Sequence, residues 1–414
     1  MNTTRLTRPA LAVTAALAAV ALVGGCGVNP SSQGPADGGL TKAPTSSSTS
    51  TTSTSSPTPE AVSLSANVDD GAKNVKVDKI VSVAAADGKL SKVSLAYVGT
   101  KDDPKKKVSV NGALNDAKTG WTADEALDPG ATYTLKMSGT STAGVDSSSS
   151  QTFTTEDLSL DQQTYPTIFP AKGATVGVGM PVILTFDVPV KDKAEFEKHL
   201  SVQTTPKQTG TWSWISSTEV HYRPKTYWKP GTKVSVDANL NGVNAGNGIY
   251  GQESRSTDFT IGRSLITKIN LSTDVAKVYQ NDKLVRTIYV SGGKSGWQTR
   301  SGIKLIMSKE MNKKMTNEMI GAKENYDLNV KYAMRITNSG EFLHSAPWNA
   351  GSFGRTNASH GCVGMSTSDA GWLYDRVLPG DPVETTGSSR GMERVNGWSD
   401  WNVSWSTYKK ASAL

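Results

Sequence analysis

A chain of 414 residues exceeds what one hydrophobic core normally organises, so its length predicts two to four domains. Its formal charge of +7 is mild, its basic residues are scattered and it carries no nucleic-acid motif, so no nucleic-acid partner is expected. A weak attraction to an anionic cell surface is all that this charge indicates.

The first 26 residues have the pattern of an export signal. Arg5 and Arg8 precede an apolar run from Ala10 to Val23, which is shorter than the roughly 18 residues that a membrane span needs. The run leads into Leu-Val-Gly-Gly-Cys, which resembles the lipobox of bacterial lipoproteins and implies that Cys26 carries a lipid. Such a lipid would anchor the chain at the outer face of the cytoplasmic membrane, in the cell wall or periplasmic space. An ordinary cleaved signal peptide is the alternative.

Residues 27–59 are rich in Ser, Thr, Pro and Gly and have almost no apolar content. Such a segment buries too little apolar surface to offset the entropy of ordering it, so it is predicted to be a disordered tether. At roughly 5 to 6 Å times the square root of its length, it would hold the folded part ~30 Å from the membrane on average.

The cysteine count leaves one unexplained thiol. With Cys26 assigned to the lipid, Cys362 is the only other cysteine and has no partner for an internal disulfide. A free thiol in an oxidising compartment is an oxidation hazard, which argues for a functional role. A buried, inert cysteine is the alternative.

Two turn sequences recur after about 100 residues, which indicates a duplicated unit. The run Gly71-Ala72-Lys73-Asn74-Val75 returns as Gly173-Ala174-Thr175-Val176, and Pro129-Gly130 returns as Pro230-Gly231. Short alternating runs between turn residues are typical of an immunoglobulin-like β-sandwich. The two copies are predicted at residues 60–156 and 157–262, and we interpret both as spacers. A sugar-stacking platform is the alternative, formed by Trp212, Trp214, Tyr227 and Trp228.

From about Ser264 a different, strand-rich pattern begins, with strands predicted over residues 266–271, 276–279 and 285–290. Four methionines then recur at every fourth residue, which predicts a helix with all four on one face. We interpret that face as core, with a flap over an apolar surface as the alternative. These residues are Met307, Met311, Met315 and Met319.

Two of the four histidines lie within 18 residues of the free thiol: His344 and His360. A free cysteine is mostly protonated at neutral pH, so a nucleophilic Cys362 needs a neighbouring imidazole or a positive dipole. A strand that ends at His344 and a loop that returns to Cys362 would supply that imidazole. A zinc site from the same three residues is the alternative, although only Asp369 offers a supporting carboxylate.

The motif around these residues is a histidine, 14 intervening residues, Ser359, and then His-Gly-Cys. Together with the His-Ser-Ala-Pro-Trp run that begins at His344, it resembles the signature of the L,D-transpeptidases with a YkuD-type catalytic domain. The resemblance extends from about residue 60 to the end of the chain. The two sandwiches resemble the paired bacterial immunoglobulin-like domains of the actinobacterial members.

The resemblance implies a mainly β chain, with a catalytic domain at residues 263–386 and a Trp-rich C-terminal extension at residues 387–414 that packs on it. Cys362 would be the nucleophile, His344 the base, and the backbone carbonyl of Ser345 the group that fixes the histidine tautomer. Backbone amides near His360, Gly361 and Cys362 are the candidate oxyanion donors, with a structural histidine as the alternative for His360.

Other site residues are carried over by position only. The resemblance implies lid residues and a pair that faces the substrate just before the strand to His344. It also implies substrate contacts from the motif residues near His344 and Cys362. These candidate substrate-binding residues are Met311, Tyr326, Ser339, Gly340, Trp348 and Ser359. One position departs from the pattern, because Gly364 stands where the family usually has an asparagine that is thought to contact substrate.

The implied activity is cysteine acyl transfer without metal or organic cofactor. Cys362 would attack a tetrapeptide stem of peptidoglycan, release D-alanine and pass the acyl group to the side-chain amine of an acceptor stem, which forms a 3→3 cross-link. Carbapenems are expected to acylate the same thiol. The alternatives are an L,D-carboxypeptidase, protein attachment to the wall, and a wall-binding scaffold with a weak active site.

Overall fold

The computed structural model describes residues 60–99, 105–321, 323 and 327–414. The predicted lipidation site Cys26, the predicted tether and the candidate lid residue Tyr326 lie outside the described residues. Among the residues that are described, no helix is long and apolar enough to cross a membrane. The expected mainly β fold class is confirmed, because nearly all of the regular structure lies in six β-sheets.

The first part of the described chain forms two four-stranded sheets, in the orders β1-β2-β6-β5 and β4-β3-β7-β8. The strands are β1 (Ser63–Ala66), β2 (Ser82–Ala86), β3 (Gly88–Val98), β4 (Lys107–Val110), β5 (Gly112–Leu114), β6 (Gly120–Ala123), β7 (Thr132–Ser141) and β8 (Asp146–Thr154). Alternate residues of both sheets meet in one core, where Trp121 from one sheet faces Leu95 and Tyr133 from the other. This arrangement is a β-sandwich without a disulfide.

The second part repeats this plan with sheets β10-β12-β15-β14 and β11-β19-β16-β13, and a small sheet β17-β18-β9. Its strands are β9 (Gln163–Thr164), β10 (Pro166–Phe169), β11 (Thr175–Val176), β12 (Val182–Phe186), β13 (Leu200–Thr205), β14 (Gly210–Trp214), β15 (Glu219–Pro224), β16 (Lys233–Ala238), β17 (Asn244–Gly246), β18 (Ile249–Gly251) and β19 (Arg255–Ile261), with helix α1 (Lys193–Lys198). Trp212, Trp214 and Trp228 are buried in its core. Their rings therefore pack inside the sandwich and present no open face for a sugar.

The third part is a nine-stranded sheet in the order β23-β28-β20-β21-β22-β27-β26-β25-β24. Its strands are β20 (Leu265–Asn270), β21 (Val275–Gln280), β22 (Lys283–Ser291), β23 (Gly302–Leu305), β24 (Ser308–Thr316), β25 (Asp327–Arg335), β26 (Phe342–Ser345), β27 (Val363–Met365) and β28 (Pro382–Thr386), with helices α2 (Thr367–Tyr374) and α3 (Trp405–Lys409). The β21–β22 hairpin turns through Asn281 and Asp282, both with positive φ, which is the backbone that a two-residue turn between twisted strands requires.

The helix predicted from the methionine spacing is wrong. Residues 308–316 form strand β24, which pairs in antiparallel register with β25. A spacing of four is twice the strand period of two, so it places every fourth side chain on one face of a strand as well as of a helix. On that face Met315 packs against the core beside β25, whereas Met311 is 48% exposed.

The C-terminal extension contacts the catalytic domain, as expected from the resemblance, and also the second sandwich. Its Trp401 indole donates to the carbonyl of Gly179 at 2.7 Å, in the second sandwich. The guanidinium of Arg223, on strand β15, lies between aromatic rings of the extension, 4.4 Å from the Trp401 ring and 4.2 Å from that of Tyr408. On the other side Asn402 exchanges two hydrogen bonds with the backbone of Ile303, at 2.6 and 2.7 Å. The extension therefore joins the second sandwich to the catalytic domain.

Candidate active site

Two neighbouring parallel strands position the histidine and the thiol. His344 on β26 is in register with Gly364 on β27, and Cys362 directly precedes β27. Because side chains alternate along a strand, His344 and Cys362 face one side, whereas Leu343 and Val363 face the other and lie in the hydrophobic core. The core side chains thus hold the catalytic candidates on a common surface.

His344 is buried, and its ring is held by the main chain. Its Nδ1 lies 2.8 Å from the carbonyl oxygen of Ser345, so Nδ1 carries the proton and Nε2 is left as the acceptor. Burial lowers the pKa of His344 below its usual 6.5, which keeps the ring neutral at neutral pH. The exposed Trp348 ring stacks on the imidazole with centroids 6.0 Å apart.

Cys362 is half-buried and packs beside the apolar side chains of Val330, Ala333 and Phe342. Its Sγ lies 3.6 Å from the carbonyl oxygen of Gly340, to which the thiol donates. Burial raises the pKa of Cys362 to about 12, against an opposing backbone hydrogen bond from Phe342, and the negative charge of Glu341 adds a smaller rise. The thiol is therefore protonated at neutral pH.

The loop before the thiol is held by hydrogen bonds of its own. The Ser359 hydroxyl donates to the carbonyl of Cys362 at 2.6 Å and accepts from the amide of Gly361 at 3.1 Å. Thr299 donates to the carbonyl of Gly361 at 2.8 Å, and Gly361 has φ +118°, where a side chain would be strained. The Gly361 amide donates to the Ser359 hydroxyl in this conformation, so it is not available as an oxyanion donor. Gly361 contributes instead through the positive φ that lets the loop turn.

His360 packs edge-on against Trp297, with ring centroids 5.3 Å apart. This contact suits a residue that shapes the loop. Within the described ranges, no three side chains among His, Cys, Asp and Glu are grouped so as to hold a metal ion. The structure thus brings His344, Ser345, Ser359, Gly361 and Cys362 together around one thiol.

The predicted substrate-facing pair lies next to this thiol and is held from the C-terminal extension. The Ser339 amide donates to Asn396 Oδ1 at 2.8 Å, and Asn396 Nδ2 donates back to the Ser339 hydroxyl at 2.8 Å. Gly340 has φ +95° and directs its carbonyl towards Cys362. Met311 lies on the exposed face of β24, and its role as a lid residue stays a prediction.

Gly364 has a structural reason to lack a side chain. A Cβ atom at this position would lie 2.8 Å from the Cβ of Ala346, closer than two carbon atoms can approach, and 3.8 Å from the ring of Phe353. An asparagine here would require the segment after β26 to move. The departure from the family pattern is thus coupled to the packing of Ala346.

Sequence reasoning missed a set of buried charges beside the thiol loop. The Glu341 carboxylate accepts from Arg300 Nη1 at 2.8 Å and lies 3.3 Å from Lys304 Nζ. The available signal was the charge of Lys304 between Ile303 and Leu305 within an apolar run, and that of Glu341 directly before β26. Charged residues are almost never fully buried unless they are paired.

Comparisons with known proteins agree with this arrangement. The family described as the L,D-transpeptidase catalytic domain matches residues 266–385, and the bacterial Ig domain matches residues 72–244, across both sandwiches. L,D-transpeptidase 2 of Mycobacterium tuberculosis is 36% identical over 84% of this chain and 85% of its own, and L,D-transpeptidase 5 of that species is 34% identical over 86% and 78%.

A structure of an LD transpeptidase in complex with imipenem is 36% identical to this chain, covering 53% of this chain and 97% of that one with a TM-score of 0.47. The family assignment rests on the two sequence relatives, each of which aligns with this chain over more than two thirds of both sequences. This chain belongs to the L,D-transpeptidase family.

Proposed function

We propose that this L,D-transpeptidase cross-links peptidoglycan through a thioester on Cys362, with His344 as the only general base. The observation that carries the proposal is the pairing of β26 with β27, which puts the imidazole and the thiol on one face while the Ser345 carbonyl leaves Nε2 as the acceptor. That geometry suits proton removal from a thiol whose pKa burial has raised.

In the first half-reaction, His344 Nε2 takes the thiol proton as Sγ attacks the carbonyl carbon of the third residue of a tetrapeptide stem. The tetrahedral intermediate collapses when its C–N bond to D-alanine breaks, and the imidazolium returns the proton to the leaving amine. In the second, the side-chain amine of an acceptor stem attacks the thioester and gives its proton to His344. The C–S bond breaks and the thiol is restored, so no metal or organic cofactor takes part.

The oxyanion in both steps needs amide donors near the thiol. Gly361 is already bonded to Ser359, so we assign the donor role to the amide of Cys362, with that of His360 beside it. Gly340 contacts the thiol and Trp348 contacts the base, and these two residues and Ser339 are the candidate contacts for the donor stem.

Carbapenems are proposed to acylate Cys362 as the donor stem does. A related LD transpeptidase has been solved with imipenem, which supports the use of imipenem as a probe for this chain. The export signal and the Leu-Val-Gly-Gly-Cys sequence support a lipid anchor at Cys26 and a location at the outer face of the cytoplasmic membrane, in reach of peptidoglycan.

The test is mass spectrometry of residues 60–414 after incubation with imipenem and, separately, with disaccharide tetrapeptide. We expect a covalent adduct with imipenem, cross-linked dimers with the donor, and neither in Cys362→Ala. Exclusive formation of tripeptide would indicate hydrolysis and contradict cross-linking, whereas an adduct that persists in Cys362→Ala would contradict the assigned nucleophile.

A further inference from the structure

A buried ion cluster of Glu341, Arg300 and Lys304 lies directly behind the thiol loop, and the half-exposed Glu393 also accepts from Arg300 Nε on its outer side. One carboxylate oxygen of Glu341 accepts from Arg300 twice, from Nη1 at 2.8 Å and from the backbone amide at 3.1 Å. The other oxygen lies 3.3 Å from Lys304 Nζ, and Lys304 also donates to the carbonyl of Arg300. All three side chains are at least nine-tenths buried, and the Lys304 side chain has no exposed surface.

A buried ion cluster is not explained by stability alone. Taking charges out of water costs several kcal/mol for each ion, and well-packed hydrophobic residues often serve equally well. Two cations and the Glu341 carboxylate are nevertheless kept in the protein interior, with Glu393 as a second carboxylate on Arg300. The neighbours of this cluster indicate what else it can do.

Two contacts join the cluster to the loop that carries Cys362. A Cβ atom placed on Gly361 would lie 3.7 Å from Glu341 Cγ and 3.9 Å from its Oε1, so the carboxylate backs directly onto the Gly361 backbone. Glu341 also follows Gly340, whose carbonyl accepts from the Cys362 thiol. On the cation side, Thr299 precedes Arg300 and donates to the carbonyl of Gly361 at 2.8 Å.

We propose that Glu341, clamped by Arg300 and Lys304, is a positioning residue that fixes the Gly340 carbonyl and the Gly361 backbone on either side of the reactive thiol. This inference rests on the proposed function of Cys362 as nucleophile. It adds a group that touches neither the substrate nor the thiol and acts through the main chain of its neighbours.

The cluster also sets the electrostatic field at the thiol. Glu341 adds to the rise in the pKa of Cys362 that burial causes, while the charge of Arg335 opposes it. Burial lowers the pKa of Lys304, and Glu341 counteracts that effect. Glu341 therefore adds to the protonation of the thiol that burial causes and also fixes the backbone around it, so neutralising Glu341 should raise the thiolate fraction while it disorders the site.

The decisive variant is Glu341→Gln, for which the rates of two reactions of Cys362 are measured on the same protein. Alkylation by iodoacetamide reports the thiolate fraction, and we expect it to rise about 3- to 10-fold at pH 8, because an anion near the thiol is lost. Acylation by imipenem depends on an ordered site, and we expect it to fall about 10- to 100-fold. Unfolding would also expose the thiol and accelerate its alkylation, so the near-ultraviolet circular dichroism of the variant is recorded alongside and must match that of the parent.

Two further variants control for the loss of buried charge. Glu341→Gln combined with Lys304→Met removes one anion and one cation, so we expect alkylation to return to the parent rate and acylation to recover in part. Asp381→Asn disrupts another buried ion pair of this domain, with Arg263, and should leave both rates within about twofold. If Glu341→Gln alone does not fold, the alkylation and acylation rates of the double variant are compared with those of the parent.

The proposal is overturned if Glu341→Gln leaves both rates unchanged, or lowers both in step with Asp381→Asn. It is also overturned if imipenem acylates the double variant more slowly than it acylates Glu341→Gln. Failure of the proposed function has a different signature, because an adduct that survives in Cys362→Ala would remove Cys362 as the nucleophile whatever Glu341 does.

Discussion

The thiol and the imidazole are both neutral at rest, and the cause is burial at the level of single residues. Burial raises the pKa of Cys362 to about 12 and lowers that of His344 below 6.5. A thiolate–imidazolium pair would require the reverse order of the two pKa values. For the proposed acyl transfer we therefore expect proton transfer to accompany attack on the carbonyl and not to precede it.

This order predicts a flat pH profile. Lowering the pKa of His344 keeps it in its basic form above pH 6.5, and raising that of Cys362 prevents ionisation up to and beyond pH 9.0, its ordinary value. The rate constant for acylation by imipenem should thus be constant between pH 6.5 and 9.0 and should fall only at more acid pH. A rise in rate across this window, matched by thiolate absorbance, would contradict a protonated resting thiol.

Ser345 is expected to work through its backbone. Its carbonyl holds His344 Nδ1, whereas its hydroxyl bonds only to the Thr367 hydroxyl, at 2.7 Å, among the contacts described. Ser345→Ala should leave the acylation rate within about threefold, since a neutral side-chain hydrogen bond contributes only about 1 kcal/mol. His344→Ala should lower it by about 100-fold or more through loss of the base. Equal losses in the two variants would contradict the separation of roles.

Gly364 offers a test by paired substitution. Gly364→Asn should destabilise the catalytic domain by about 1–3 kcal/mol, because its Cβ would overlap Ala346. Adding Ala346→Gly removes the overlapping methyl group and should restore most of that loss. The measurement is urea unfolding of the two single variants and the double variant. Additive effects would show that the two positions do not constrain each other.

At the scale of elements, the C-terminal extension (residues 387–414), called the strap below, is held to the second sandwich by a charged histidine. His221 on β15 lies with Nδ1 2.9 Å from Asp400 Oδ1 and Nε2 2.7 Å from Glu219 Oε1, and Arg223 and Tyr408 flank the same junction. Burial by itself lowers the pKa of His221, but the two carboxylates outweigh it and raise the pKa to about 9. The imidazolium therefore links the strap to the second sandwich.

The strap should weaken in alkaline solution. A histidine whose pKa rises on folding contributes stability that is complete below its ordinary value of 6.5 and is lost as pH rises through about 9. The free energy of unfolding should fall by about 3 kcal/mol across this range from His221 alone. His221→Gln is the control, since it should be less stable at pH 6.5 and lack this pH dependence. An equal slope in both proteins would remove His221 as the cause.

At the scale of the whole molecule, the second sandwich and the catalytic domain are joined by direct backbone hydrogen bonds. Amides of Gly177 and Gly179 donate to the carbonyls of Pro379 and Gly380 at 2.8 and 2.9 Å, and the strap adds contacts to both sides. The first sandwich meets the second through a smaller apolar cluster of Val77, Leu158 and Tyr250. The junctions therefore differ in strength.

Calorimetry of residues 60–414 should accordingly show two transitions. We expect the second sandwich and the catalytic domain to unfold together and the first sandwich to unfold separately, because cooperative units follow the extent of shared contacts. Residues 157–414 alone should keep the larger transition at an unchanged midpoint. Three separate transitions would contradict a shared unit.

The parts of the site that lie close in sequence could be predicted, because local spacing encodes them. The interval from His344 to Cys362 and the Ser359-His360-Gly361 loop were predicted as one site, and the hydrogen bonds around Cys362 follow from that short span. The prediction of a helix over Met307 to Met319 is wrong, because side chains at every fourth position share a face in both a strand and a helix. Only the pairing with β25 decides between them.

The sequence by itself determined the family and the candidate chemistry: one thiol near two histidines in a family motif, preceded by two repeats with the alternation of β-sandwiches. Tertiary structure alone decided which distant groups support that chemistry. Glu341 meets Arg300 across 41 positions, and His221 meets Asp400 across 179. Such contacts leave no periodic trace in the chain, because they depend on how sheets and junctions pack rather than on the spacing of neighbouring residues.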